Sequence, residues 1–145
     1  MTMAAAQNSC KLSVILPCFN GEETIAEQLE ALVLQDWPVG SELIVVNNGS
    51  TDHSIEIVES FRGRIPGLRI VEAHAPGTPR LPVAHSYNTG IAAATGDAFV
   101  FCEADDEVAT GWLRAMGRAL NEHDFVVARL DHRKLNADWF HPVSG

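Results

Sequence analysis

The regular alternation of short apolar runs with amphipathic segments is the feature that most narrows what this chain can fold into. The apolar runs are rich in branched side chains and are followed by polar or turn-forming residues, as buried parallel strands are. Between them, apolar residues recur at helical spacing. The pattern predicts strands at residues 12–16, 43–46, 68–71, 98–102 and 125–130, with a helix between each pair. This order is typical of an α/β domain in which a mostly parallel sheet has helices on both faces.

Residues that favour helix ends bound the predicted helices. Asn20 and Glu23 form a candidate capping box for a first helix over residues 22–35. Gly96 is expected to stop the third helix. The second helix is expected to begin near Thr51 or Asp52. The third is expected to begin at Pro82 and the fourth at Thr110.

The composition fits one globular domain over residues 1–145, with 46% hydrophobic and 20% charged residues. The formal net charge is -9 and the basic residues are scattered, so we expect no nucleic acid partner. No apolar run approaches the roughly 18 residues that a membrane-spanning helix requires, so we expect no membrane segment. Three cysteines without a C-x-x-C pair, and a start unlike a signal peptide, favour a cytoplasmic protein.

The residues that follow each predicted strand are the candidate site, because ligands of parallel α/β sheets bind beyond the carboxyl ends of the strands. Four carboxylates lie within residues 103–107, directly after the fourth predicted strand. A bound cation relieves the repulsion within such a cluster, and oxygen ligands favour Mg²⁺ or Mn²⁺. A solvated acidic loop that caps the next helix would have the same composition. The cluster alone leaves both interpretations open.

Asparagines and an aromatic residue follow the first two predicted strands. Phe19 is suited to stack on a nucleobase, but it could equally be a core or turn residue. The segment from Asn47 to Asp52 has the composition of a tight turn and helix cap, which is its simplest interpretation. A dinucleotide-dependent oxidoreductase would need G-x-G-x-x-G after the first strand, and the sequence has none there.

Four motifs, in order and with fitting spacings, resemble the amino-terminal half of a family 2 glycosyltransferase of the GT-A type. The similarity extends over about residues 12–120. The motifs are L-S-V-I-L-P-C-F-N from Leu12, E-L-I-V-V-N-N-G-S-T-D from Glu42, N-T-G-I with A-T-G-D from Asn88, and E-A-D-D from Glu103. The last falls where the family has its metal motif.

The resemblance implies a site for a nucleotide-diphosphate sugar and a divalent ion, Mn²⁺ or Mg²⁺, with inverting transfer of the sugar to a hydroxyl. The sugar, the base, the acceptor and the catalytic base are not identified by these residues. The implied metal ligands are Glu103, Asp105 and Asp106. The implied nucleotide-sugar contacts are Pro17, Phe19, Asn20, Asn47, Asn48, Asn88 and Asp105.

Three residues depart from the family pattern. Asn47 stands where the family often has Asp, and Glu103 replaces the first Asp of the metal motif. Tyr87 stands where the family commonly has an Arg, so a contact from that Arg to a phosphate is missing. Arg80 is a candidate to make this contact instead.

Two further expectations concern the whole chain. It is shorter than the family's domain, so we expect it to be the donor-binding half, without the acceptor half. A nucleotide-sugar-binding module or fragment without turnover is therefore the alternative to an enzyme. An open sheet edge would favour self-association, or a partner that supplies the acceptor side.

Overall fold

The computed structural model describes residues 10–75 and 78–128, along which strands and helices alternate. The apolar runs form strands because their branched side chains pack on both faces of a buried sheet. The elements in chain order are β1 (Leu12–Cys18), α1 (Ile25–Val33), β2 (Glu42–Asn47), α2 (Ser54–Glu59), β3 (Arg69–Glu72), α3 (Val83–Ala93), β4 (Ala98–Phe101) and α4 (Trp112–Glu122).

The four strands form one parallel sheet in the order β3-β2-β1-β4. The register places Cys18 beside Asn47, and Asn47 beside Glu72, at the carboxyl ends of β1, β2 and β3. From β1 the chain adds β2 and β3 on one side and then returns to place β4 on the other. A crevice for ligands opens at such a reversal of strand order, here beyond the carboxyl ends of β1 and β4.

Helices cover both faces of the sheet, as the sequence predicts. On one face, alternate residues of β1 such as Val14 and Leu16 pack with Leu29 of α1, Val58 of α2 and Leu113 of α4. The opposite face packs against α3: the side chains that meet there include Ile15, Ile44, Val46, Tyr87 and Ile91. The period of two along the strands therefore separates two apolar clusters.

A glycine allows α3 to approach the sheet closely. A Cβ atom at Gly90 would lie 2.5 Å from Cγ2 of Ile15 and 3.0 Å from Cγ2 of Val46. The sequence N-T-G-I thus places a residue without a side chain where the helix crosses β1 and β2.

The predicted capping box of α1 is wrong. The helix begins at Ile25 after Thr24, and no side chain caps it. Asn20 instead has a φ of 48° and accepts a hydrogen bond from the Thr51 N–H, so its side chain is committed to the loop after β2.

Other predicted boundaries shift by a few residues. Helix α2 begins at Ser54, two to three residues later than predicted. Asp52, two residues before this start, accepts a hydrogen bond from the Ser54 N–H. Pro82 and Gly111 occupy the positions immediately before α3 and α4, so Thr110 is not the capping residue.

The fifth predicted strand is not formed over residues 125–128, and residues 129 and 130 lie outside the described part. Phe125 is 82% and Val127 78% exposed. Alternating apolar residues form a strand only where a neighbouring strand pairs with their backbone groups, and these described residues have no such ladder.

None of the helices within residues 10–75 and 78–128 has the length and apolar character that a membrane-spanning helix requires.

Candidate functional site

The loops that follow β1 and β2 are joined by hydrogen bonds at the carboxyl edge of the sheet. The Asn20 N–H donates to Oγ of Ser50 over 3.1 Å, and Oδ1 of Asn20 accepts from the Thr51 N–H over 2.8 Å. The Gly21 N–H donates to Oγ of Ser54 over 2.7 Å. Asn20 therefore braces two loops, and its side-chain oxygen has a partner within the protein.

Phe19 and Arg80 stack on each other at this edge. The Arg80 guanidinium carbon lies 3.8 Å from the centroid of the Phe19 ring, a close cation–π contact. The ring is 40% exposed, and Pro17 lies two residues earlier, in β1 beside Val46. The structure thus brings together two residues that the sequence predicts for one site from positions 61 apart in the chain.

Asn47 is buried and its amide is engaged on both sides. Its Nδ2 donates to Glu72 of β3 over 3.0 Å, and its Oδ1 accepts from the Ser50 N–H over 3.0 Å. Because a carboxylate only accepts and an N–H only donates, these partners fix the orientation of the amide. The exposed acceptor at this strand end is therefore Glu72, which the sequence analysis did not select.

Asn48 is 3% exposed and connects β2 to the segment before α3. Its backbone N–H donates to the Cys18 carbonyl over 3.0 Å, and its Nδ2 donates to the Leu81 carbonyl over 2.8 Å. Its buried Oδ1 has no hydrogen-bond partner among the described residues. Asn48 thus anchors the segment that contains Arg80.

The carboxylates of Glu103, Asp105 and Asp106 converge just beyond β4. One oxygen from each lies within 4.8 Å of the other two. Burial, and then repulsion from Asp105 and Asp106, raises the pKa of Glu103 above its ordinary value. Burial and repulsion from Asp105 likewise raise the pKa of Asp106. Three converging oxygens with unfavourable mutual repulsion are a donor set that suits a hard divalent cation.

Tyr87 lies against this cluster from α3. Its hydroxyl donates to Oε1 of Glu103 over 3.5 Å, and its ring meets Phe101 edge to face with centroids 5.2 Å apart. Burial and the negative charge of Glu103 raise the pKa of the Tyr87 phenol, so it stays a neutral donor. Asn88, the next residue, is exposed on the same helix.

Gln28 of α1 and Gln35, two residues beyond the end of α1, hold the segment that contains the acidic cluster. Gln28 is fully buried; its Nε2 donates to the Glu103 carbonyl and its Oε1 accepts from the Val108 N–H, each over 2.9 Å. Gln35 contacts the Ala109 carbonyl and the Leu113 N–H over 3.0 and 2.9 Å. Gln28 is not among the site residues predicted from the sequence. Its place among Ile25, Leu29 and Leu32 on the apolar face was the available signal, because a polar residue there must find buried partners.

The parallel order β3-β2-β1-β4 and the carboxylates beyond β4 define an α/β protein of the GT-A type, and the comparisons agree. The family model described as Glycosyl transferase family 2 matches residues 13–145. The chain belongs to this family.

Three relatives show the extent of the similarity. YibD of Escherichia coli strain K12, an uncharacterized glycosyltransferase, is 34% identical over 89% of this chain and 34% of its own length. A fragment of TarS from Staphylococcus aureus, crystallised with UDP-GlcNAc, has a TM-score of 0.65 and 31% identity over 79% of this chain and 32% of that one. The mannosyltransferase PcManGT from Pyrobaculum calidifontis, in complex with GDP-Man and Mn²⁺, has a TM-score of 0.63 and 28% identity over 78% of this chain and 32% of that one. The chain thus spans about a third of the length of these proteins.

Proposed function

We propose that this chain forms the donor-binding part of a glycosyltransferase. It binds a nucleotide-diphosphate sugar together with a divalent cation, and the sugar passes with inversion to an acceptor hydroxyl. The convergence of Glu103, Asp105 and Asp106 within 4.8 Å, at the point where the strand order reverses, is the observation that supports this most strongly. TarS and PcManGT, crystallised with UDP-GlcNAc and with GDP-Man and Mn²⁺, support it independently.

The proposed metal ligands are the three clustered carboxylates. Their oxygen-only donor set and their raised pKa values at Glu103 and Asp106 fit Mn²⁺ or Mg²⁺. A bound divalent ion supplies stabilisation of the negative charge that develops on the leaving nucleotide diphosphate. Asp105 is proposed to contact the nucleotide sugar as well.

The remaining predicted residues divide between direct contact and support. Phe19 and Pro17 are proposed to lie against the base, and Arg80, which stacks on the Phe19 ring, is proposed to compensate charge on a phosphate. Asn88, exposed on α3, is proposed to contact the sugar nucleotide. Asn20, Asn47 and Asn48 are proposed to support the site from behind the contacting residues. The side chain of each makes a hydrogen bond to another group of the protein.

A binding module without turnover is the second candidate. The relatives extend far beyond the matched region, and the residues described here do not identify a catalytic base. Under both candidates we treat residues 1–145 as one donor-binding domain, with the acceptor side supplied by other residues or by a partner. The three described free cysteines are consistent with a reducing cytoplasm.

Calorimetric titration of UDP and GDP, with Mn²⁺ and with a chelator, tests the donor site. We expect binding that requires the metal and is lost in Asp105→Ala. Asp124→Ala, at an exposed position outside the cluster, is the matched control and should bind like the wild type. No binding by the folded wild-type chain would refute the proposal. If binding is found, release of the nucleotide diphosphate from UDP-sugar or GDP-sugar donors separates an enzyme from a binding module.

A further inference from the structure

We propose that Gln28 is a positioning residue for the metal site. Its buried amide closes the loop between Glu103 and Val108 and so holds the three carboxylates together before a cation binds. The inference rests on the proposed metal-dependent function, and it assigns a role to a residue of α1 that lies outside the ligand set.

The side chain of Gln28 connects the two ends of the loop by hydrogen bonds. Its Nε2 donates to the carbonyl of Glu103, where the loop begins, and its Oε1 accepts from the N–H of Val108, where it ends. Both distances are 2.9 Å and the side chain is fully buried. One rigid amide plane thus sets the separation of two backbone groups, with Asp105 and Asp106 between them.

The loop needs such a restraint because its own charges oppose its conformation. One carboxylate oxygen from each of Glu103, Asp105 and Asp106 lies within 4.8 Å of the other two, and like charges this close repel one another. Without a cation, repulsion therefore favours conformations in which the carboxylates separate. Groups that orient metal ligands from outside the ligand set typically change metal affinity by about 10- to 100-fold when removed.

Gln35, two residues beyond the end of α1, provides a matched comparison. It is buried and also connects a carbonyl to an N–H, but these belong to Ala109 and Leu113. Its contacts hold the start of α4 and do not span the carboxylates. Loss of Gln35 should therefore lower stability without changing the spacing of the ligands.

The test compares Gln28→Met with Gln35→Met, since methionine keeps the length of the side chain and removes the hydrogen bonds of the amide, including the one from Gln35 to the Ala31 carbonyl. Mn²⁺ affinity is measured by calorimetry and stability by thermal unfolding without metal. We expect Gln28→Met to weaken Mn²⁺ binding by roughly tenfold or more. We expect Gln35→Met to lower the melting temperature while its Mn²⁺ affinity stays within about twofold of the wild type.

Gln28→Leu serves as a second variant if Gln28→Met does not fold. Leucine is of similar size and also removes both hydrogen bonds without burying a charge, so we again expect weaker Mn²⁺ binding. Wild-type affinity in a folded Gln28 variant, or an equal loss in the Gln35 variant, would overturn the inference alone. Absence of Mn²⁺ binding by the wild-type chain would overturn the proposed metal site and this inference with it.

Discussion

At the scale of single residues, Asn47 shows how a departure from a family pattern can be compensated nearby. The sequence shows that a carboxylate is replaced by an amide, but the partner of that amide lies 25 residues away on β3. The register Asn47 to Glu72 is a property of the folded sheet. The carboxylate at this position therefore belongs to Glu72 on the neighbouring strand and not to residue 47. This could not be predicted from the local sequence.

The variant Asn47→Asp should destabilise the protein. Two carboxylates would then face each other where Nδ2 now donates to Glu72 over 3.0 Å. The loss of a hydrogen bond to a charged group, with like charges opposed, should lower the free energy of unfolding by roughly 1–3 kcal/mol. Urea unfolding at pH 7 measures it.

The double variant Asn47→Asp with Glu72→Gln is the control, because it restores an amide opposite a carboxylate with the roles exchanged. We expect it to recover most of the lost stability. A double variant as unstable as Asn47→Asp alone would show that the pair is not what the substitution disturbs.

The variant Asp106→Asn should make the metal-free protein more stable at pH 7 while weakening Mn²⁺ binding by roughly tenfold or more. Burial and Asp105 raise the pKa of Asp106 in the folded state. The folded protein therefore binds the proton more tightly than the unfolded chain, and stability is lost as the pH rises from the ordinary value of 3.8 through the raised pKa. Removing the charge restores that stability. Melting temperatures without metal at pH 3 and pH 7 check this.

Asp124→Asn, outside the cluster, should change neither the melting temperature nor Mn²⁺ affinity. If Asp106→Asn melts below the wild type at pH 7, the carboxylates do not repel one another as the structure indicates.

At the scale of elements, the sequence predicts type better than position. Four of the five predicted strands are found within two residues of their predicted ends, because runs of branched apolar residues pack well in a buried parallel sheet. Helix starts are less well predicted. Asn20 has the residue type of a cap, but the Thr51 N–H occupies its oxygen, and that contact depends on two loops meeting in the folded protein.

The candidate site shows the same difference between residues that the local sequence predicts and residues whose role depends on tertiary contacts. The sequence identifies the carboxylates as candidates, because four of the five residues 103–107 are acidic and directly follow an apolar run, where parallel α/β sheets bind ligands. It does not find Gln28, whose partners Glu103 and Val108 are 75 and 80 residues away. Local patterns thus predict the candidate ligands, and tertiary contacts reveal the residues that hold them in place.

The variant Gly90→Ala should displace α3 from the sheet. The added methyl group would lie 2.5 Å from Ile15 in a closely packed layer, and overpacking of this kind lowers the free energy of unfolding by roughly 1–3 kcal/mol. Urea unfolding measures the loss. Because Asn88 and Tyr87 lie on the same helix, binding of UDP or GDP with Mn²⁺ should weaken too.

Gly117→Ala in α4 is the control. A Cβ atom there would meet only the end of the Leu12 side chain, at 3.2 Å. Alanine is about 1 kcal/mol better than glycine within a helix, so this variant should be neutral or stabilised. Equal losses in the two variants would contradict a close approach specific to α3.

At the scale of the whole molecule, Glu42 connects elements at the end of the sheet opposite the site. Its carboxylate accepts from Ser13 of β1, Thr95 after α3, and Arg69 of β3. Burial alone would raise the pKa of Glu42, but the hydrogen bonds from Thr95, Ser13 and Arg69 outweigh it and hold the pKa below its ordinary value. The folded state therefore prefers the ionised form, and its contribution is present above the unfolded pKa and lost as the pH falls through the folded one.

The variant Glu42→Gln should accordingly lower the free energy of unfolding by roughly 1–3 kcal/mol at pH 7, because an amide oxygen replaces the carboxylate that accepts from Ser13, Thr95 and the partly exposed Arg69. The difference from the wild type should shrink as the pH falls below the ordinary value of 4.5. Urea unfolding between pH 3 and pH 7 measures both. Glu59→Gln, which affects an exposed pair with Arg62, should change stability little at any pH. A difference that stays constant with pH would show that ionisation of Glu42 is not what the network stabilises.

Strand β4, at one edge of the sheet formed by residues 10–75 and 78–128, leads to the last prediction, reversible self-association of the chain. Strand β4 lies at the edge of the described sheet, and its Phe99 and Phe101 are 41% and 45% exposed. An edge with open backbone groups and apolar side chains is a template for pairing with another chain. Sedimentation velocity should therefore show a species larger than the monomer that grows with concentration. Phe99→Lys places a charge on this edge and should shift the distribution toward the monomer, whereas Leu34→Lys, at an exposed position at the end of α1, should not. A single sharp monomer peak of the wild type at high concentration would mean that the edge of β4 is protected in the chain as it folds.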